Sequence, residues 1–133
     1  MIMKEHFILI TTDNRIRGVR TENPSLMFYY SMIGCRSIEI VRPFPKAINK
    51  ARQIMVIDEG RIRNNPRINV IASMLAGQSL YGNVLIAKED FRNGEPDICG
   101  YDRQSAEAII TAIRVALSAS GCFEEMSEEG ETE

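Results

Sequence analysis

The chain predicts a compact α+β domain: a small antiparallel sheet with a short central helix, a long C-terminal helix and a disordered acidic tail. Two observations carry the fold class. Apolar runs with strand-like alternation and runs at helical spacing succeed one another, with no repeat or low-complexity linker between them. At 133 residues, with 44% hydrophobic and 26% charged side chains, the chain suits a single soluble domain with a modest core. A third observation sets the boundary. Residues 124–133, EEMSEEGETE, hold six of the eighteen acidic residues and no basic one, which separates a folded body, 1–123, from a solvated tail.

Taken in order, Phe7–Ile10 is a short apolar run suited to a buried strand, and Asp13-Asn14 turns it into a second strand near Ile16–Val19. Asn23-Pro24 reads as a helix start, with Asn as N-cap and Pro at the first helical position. Leu26, Tyr29 or Tyr30, and Ile33 follow at helical spacing, and Gly34 is a stop signal. From Arg36 to Arg42, Ile38 and Ile40 alternate with Ser37 and Glu39 as a half-buried strand that Pro43 and Pro45 close. A partner strand runs from Arg52 to Ile57, paired as a hairpin across the Pro43–Lys50 loop. Asp58-Glu59-Gly60 is a turn; Asn69 caps a short helix from Val70 to Ala76 that Gly77 ends. A strand spans Val84–Ala87, Asn93-Gly94 and Glu95-Pro96 mark a loop, and Asp102 caps the last helix, which runs to about Ala119. Its apolar stripe is Ala106, Ile109, Ile110, Ile113 and Leu117.

Composition narrows the function classes. No apolar stretch approaches the roughly 18 residues of a membrane span, and MIMKEHFILITTD has no cleavage pattern of a signal peptide, so a cytoplasmic protein is expected. Cys35, Cys99 and Cys122 are too few and too scattered for a disulfide framework or a zinc motif. The formal charge of −2 hides a basic body: without residues 124–133, sixteen basic groups face twelve acidic ones. Twelve of the sixteen are Arg, whose planar fork of donors suits phosphate. That balance fits a small phosphorylated ligand better than duplex nucleic acid.

Catalytic constellations are not evident. His6 is the single histidine and stands in a strand pattern; Gly60, Gly77 and Gly82 are spaced for turns and caps; Asp97 and Asp102 read as loop acids. No cofactor or metal is expected. The polar signals are those of binding. Arg61, Arg63, Asn64, Asn65, Arg67 and Asn69 crowd a turn that feeds a helix N-terminus, either as an anion cradle or as a solvated structural turn. On the last helix Arg103, Glu107, Thr111, Arg114 and Ser118 share one side, opposite the apolar stripe; it is either a solvated face or one that presents Arg114 to a phosphate at a subunit junction. Phe91, with Arg92 and Asn93, lies in a polar loop as a core anchor or a platform for a base, and Tyr101 is a second candidate of that kind. Met27, Phe28, Tyr29 and Tyr30 make the first helix apolar nearly all round, which leaves a second face for a subunit contact.

The ordered motifs Val41-Arg42-Pro43, Asp58-Glu59-Gly60, Asn65-Pro66-Arg67-Ile68-Asn69, Ala72, Leu75-Ala76-Gly77 and Gly82-Asn83-Val84-Leu85-Ile86 lie between about Leu26 and Ile110, most of the chain. In that order they resemble a small domain family common in phages and mobile elements, mostly of unknown role. The characterised members that it looks like are phage Thoeris anti-defence proteins, which sequester cyclic nucleotide immune signals without destroying them. The resemblance implies a homo-oligomer with ligand pockets between chains, and recognition by aromatic, Asn and Arg side chains. Matched by region, the candidates are Arg61, Arg67, Asn69, Asn83, Phe91, Arg92, Tyr101, Arg103 and Arg114. The expected ligand is a cyclic ADP-ribose isomer or a cyclic oligonucleotide. A mobile-element inhibitor or accessory protein acting on another protein, with the tail as an acidic mimic, is the alternative. An enzyme that hydrolyses the signal is a third reading, for which the sequence offers no acid–base pair.

Overall fold

The computed structural model describes residues 3–43, 52–60 and 67–120. Among them lie six strands and three helices: β1 (Glu5–Ile10), β2 (Ile16–Thr21), α1 (Leu26–Ile33), β3 (Ile38–Val41), β4 (Gln53–Asp58), α2 (Val70–Ala76), β5 (Val84–Arg92), β6 (Glu95–Cys99) and α3 (Arg103–Ser120). The antiparallel sheet runs β2-β1-β5-β4-β3, with β6 also paired to β5. The α+β class, the short helix and the long last helix are as the sequence indicates. The Pro43–Lys50 loop beyond Pro43, the turn at 61–66 and the acidic tail lie outside the described residues.

The strands alternate, so each contributes to both sides of the sheet. Ile8, Ile10, Ile16, Met55, Ile57, Val84 and Ile86 face α2 and α3 and pack with Ile71, Ala72, Ala106, Ile109, Ile113 and Leu117. Phe7, Leu9, Val19, Ile54, Val56, Leu85 and Ala87 face α1 and pack with Tyr29 and Ile33. The α1 side is sealed by aromatic rings: Phe7 lies 5.2 Å from Phe28 and 5.8 Å from Tyr29, centroid to centroid. Such edge-on and tilted pairs contribute about 0.5–1.5 kcal/mol beyond their burial. Tyr29 donates its hydroxyl to the carbonyl of Ile98 at 3.1 Å, which ties α1 to β6. The other side of α1 leaves Leu26 and Met27 exposed.

Two elements differ from the sequence expectation. The first helix is capped by Ser25, not Asn23: Ser25 is extended and its hydroxyl accepts the Phe28 N–H, while the Asn23 N–H turns back to the Thr21 hydroxyl. Pro24 therefore precedes the cap. The strand expected over Val84–Ala87 continues to Arg92, and the expected loop is a hairpin into β6. Asn93 and Gly94 both take positive φ, 54° and 79°, as a two-residue turn between right-twisted strands requires. The hairpin escaped the apolar pattern because Lys88, Glu89, Asp90, Glu95 and Asp97 dominate its sequence and leave Phe91, Pro96 and Ile98 too scattered to read as a strand face. Pro96 fits because β6 pairs with β5 alone across that register.

Gly100 fastens this hairpin to β1. A Cβ there would stand 2.7 Å from Glu5 Cβ and 2.8 Å from the His6 nitrogen, so only glycine allows the approach. Tyr101 and His6 then exchange backbone hydrogen bonds of 2.7 and 2.8 Å.

Candidate functional site

The sequence-predicted residues do not converge on one place. Arg61 lies outside the described residues, as does the side chain of Arg92 at the end of β5. Asn69 is fully buried. It caps α2 by accepting the Ala72 N–H at 3.0 Å and donates to the carbonyls of Ile10 and Gly82, both at 2.9 Å. A side chain so committed has no group to offer a ligand. Asn83 accepts the Thr12 N–H at 3.3 Å and anchors the turn between β1 and β2. Arg67 is exposed, and its carbonyl accepts the Gly82 N–H.

Phe91 is on strand β5, not in a loop, and is 56% exposed. By alternation with Leu85 and Ala87 it lies on the α1 side of the sheet. Arg103 pairs with Glu107 on the surface of α3, at 3.1 Å. Arg114 is half-buried and donates to the Ile16 carbonyl at 3.2 Å. The Arg103–Glu107–Arg114 side of α3 therefore runs beside the apolar stripe towards β2, where the sequence had set it opposite the stripe. Tyr101 lines a groove on the other flank of the same helix.

That flank carries Ser105, Ala108, Ala112 and Ala116, residues three and four apart and so aligned on one side. Single methyls there leave space between α3 and the strands β4 and β5. The space is a groove in two contiguous parts that share Ala108 and Ile109. The mouth, about 500 Å³, is lined by Arg52, Lys88, Tyr101, Asp102 and Ser105. The inner branch, about 340 Å³, lies over Met55 and Ile86, with Leu75 of α2 across from the alanines. These volumes fall in the range of small-molecule sites.

Register explains why the mouth is polar. Gln53, the first residue of β4, and Lys88, in the middle of β5, are cross-strand partners on the α3 side of the sheet. Arg52, just before β4, has φ 52°, a conformation that is uncommon outside glycine, asparagine and aspartate. Its carbonyl accepts the Glu89 N–H at 2.9 Å and its guanidinium pairs with Asp90 at 2.8 Å. Lys88 Nζ stands 6.0 Å from the centroid of the Tyr101 ring, a cation–π contact. Among the described residues no carboxylate comes within ion-pair distance of it. Tyr101 is buried and donates its hydroxyl to the Ala87 carbonyl at 3.2 Å; burial, then the nearby Cys99, push its pKa well up. Asp102 accepts the Ser105 N–H at 2.7 Å and the Ser105 hydroxyl at 3.0 Å. Those two bonds, with the Lys88 charge, hold its carboxyl below the usual range. The mouth thus presents two cations, one aromatic ring and a capped carboxylate beside an apolar branch. Chemically it can take an anion joined to a flat or apolar body.

Arg52, Lys88 and Ser105 were not singled out in the sequence. The usable signal was positional: Gln53 and Lys88 stand just outside the apolar runs Ile54–Ile57 and Val84–Ala87. Among the described residues no three His, Cys, Asp or Glu side chains assemble as metal ligands would. No described helix is long and apolar enough to cross a membrane.

No family model matches the chain, and no curated protein matches it. In fold it is similar to part of the crystal structure of the small RNA methyltransferase HEN1, with a TM-score of 0.56 at 16% identity. The match covers 83% of this chain and 16% of that one, so the chain spans a small part of the length of HEN1. At that identity the likeness is one of fold alone.

Proposed function

We propose that this protein binds a cyclic nucleotide signal of host immunity and sequesters it without cleaving it, as the phage anti-defence proteins that its motifs resemble do. The observation that supports this most is the mouth of the groove, where Arg52 and Lys88 approach from one side and Tyr101 and Ser105 from the other. Guanidinium and ammonium groups suit phosphate oxygens, and charge-assisted hydrogen bonds are the strong ones. The ligand in this reading lies in the α3 groove, not at the 58–69 turn. A homo-oligomer in the host cytoplasm belongs to the same proposal, with the exposed Leu26 and Met27 of α1 as its contact.

Sequestration differs from turnover in its product. Titration calorimetry of purified protein with cyclic ADP-ribose isomers and with cyclic di- and trinucleotides should show one saturable ligand. Denaturation should then release that ligand chemically intact. A cleaved product would make the protein an enzyme, and no binding across the panel would sink the proposal. The exposed α1 residues also suit an inhibitor that acts on another protein through an acidic mimic. Deleting residues 124–133 separates the two: a sponge keeps its activity and a mimic loses it.

A further inference from the structure

We infer that the acidic C-terminal segment of this chain is itself an occupant of the α3 groove, with Met126 in the inner branch and Glu128 at Lys88, and that a ligand must displace it. The groove follows α3 lengthwise, from the mouth at Asp102 and Ser105 through Ala108 to Ala116. The helix ends at Ser120, one turn beyond Ala116, and residues 121–133, GCFEEMSEEGETE, continue from there. Gly121 is the residue type that ends a helix and lets the chain reverse. At about 1.5 Å per helical residue, Ala108 lies about 18 Å back along the helix from Ser120. An extended chain covers that distance in about six residues at roughly 3.3 Å each. With Gly121 and Cys122 used for the turn, Glu128 comes abreast of Ala108, the residue that lines both parts of the groove.

The chemistry matches that register. Met126 is two residues before Glu128, so in an extended segment both side chains point to one side, and Met126 falls about one helical turn nearer Ser120, beside Ala112. The walls there are Met55 and Ile86 on the sheet and Leu75 across from the alanines. A thioether fills such an irregular apolar space and needs no hydrogen bond from Gln53, which already has an interaction of its own. Glu128 meets Lys88, whose contact among the described residues is the Tyr101 ring and not a carboxylate. Arg52 is shared with Asp90, and Asp102, the acid already at the mouth, is turned to Ser105. Residues 124–133 carry six acids and no base, so the charges are complementary along the whole mouth. An exposed ion pair contributes little by itself. Tethering makes this contact intramolecular, at an effective concentration of order millimolar. The segment is thus a built-in competitor for whatever anion the groove takes, and the inference stands apart from the nucleotide reading.

The test is the NMR spectrum of the full chain, read at the Ala112 amide and methyl signals, which report on the inner branch. Met126→Ser should shift Ala112, Ala116 and Leu75. Glu128→Lys should shift Lys88, Tyr101 and Ser105, and Ala112 with them, because releasing the charge also releases the thioether. Leu26 and Met27, on the other side of the sheet, should not move. Lys88→Glu alone should move Ala112 as Glu128→Lys does, and the charge-swapped double variant should bring Ala112 back to its wild-type position. An Ala112 signal that none of these substitutions moves overturns the inference. So do shifts spread equally over α1, or a double variant that fails to restore Ala112.

Discussion

Two polar clusters lie on the helix α2/α3 side of the sheet, and they serve opposite ends. At the Asn69 junction every side-chain hydrogen-bonding group has a backbone partner, and the residue is fully buried. At the groove mouth Arg52 is exposed, Lys88 half-buried, and the nearest partners are a ring and surface carboxylates. The first cluster closes the junction of β1, α2 and β5. The second leaves its charges at a cavity. Polarity in the sequence does not separate the two; the number of groups already satisfied does.

The largest expected effect comes from breaking the sealed cluster. Asn69→Ala removes a helix cap and strands the Ile10 and Gly82 carbonyls, and should cost about 3–5 kcal/mol in urea unfolding. Asn69→Asp sharpens the point, since it keeps the acceptor for Ala72 and loses both donors; it should be nearly as damaging. A loss below about 1 kcal/mol for Asn69→Ala would mean that water replaces the side chain and the junction is not sealed. Next in size is Gly100→Ala. The new methyl meets backbone atoms of His6, so either the hairpin shifts or β1 does, at about 1–3 kcal/mol.

Much of this fold was legible because its elements carry local signals. Asn69 and Gly77 bracket α2 as the cap rules require, and the Gly34 stop of α1 and the stripe of α3 were equally plain. Hidden were the features that depend on partners distant in sequence. The β5–β6 hairpin has no apolar alternation, because it projects past the core and its register is held by a turn and by Gly100. The groove was hidden for a related reason. It is built from Arg52 and Lys88, 36 positions apart, and from an alanine flank that a pattern of large apolar residues ignores. Asn69 stood out as a binding residue for the very feature, a polar side chain at a helix start, that burial then turned to structure.

The open cluster should respond in the other measurement. Lys88→Ala and Arg52→Ala are each expected to change stability by no more than about 0.5 kcal/mol, and to weaken a phosphate-bearing ligand about tenfold or more in calorimetry. If either variant unfolds as readily as Asn69→Ala, the mouth is structural and the contrast disappears. Tyr101 should declare itself only in alkali. Its folded pKa is raised above the ordinary 10.0, so the unfolded chain ionises first. Stability is then unaffected near neutral pH and falls as pH rises past about 10, a slope that Tyr101→Phe should reduce.

The smallest effect tests the mouth most finely. Asp102 caps α3 and also lines the groove, so it belongs to both kinds of cluster at once. Its folded pKa lies below the unfolded value. Its contribution to stability is therefore complete above the unfolded pKa and is lost as pH falls through the folded one. At neutral pH it is a carboxylate facing any phosphate held by Lys88. Asn caps helices about as well as Asp does, so Asp102→Asn should lower the melting temperature at pH 7 only slightly, by the charge-dependent part of that contribution. It removes one like charge from the ligand site, and should tighten a phosphate-bearing probe about threefold, an advantage that shrinks with added salt. If affinity falls instead, Asp102 is a hydrogen-bond acceptor for the ligand, and a donor rather than an anion sits at that end of the groove.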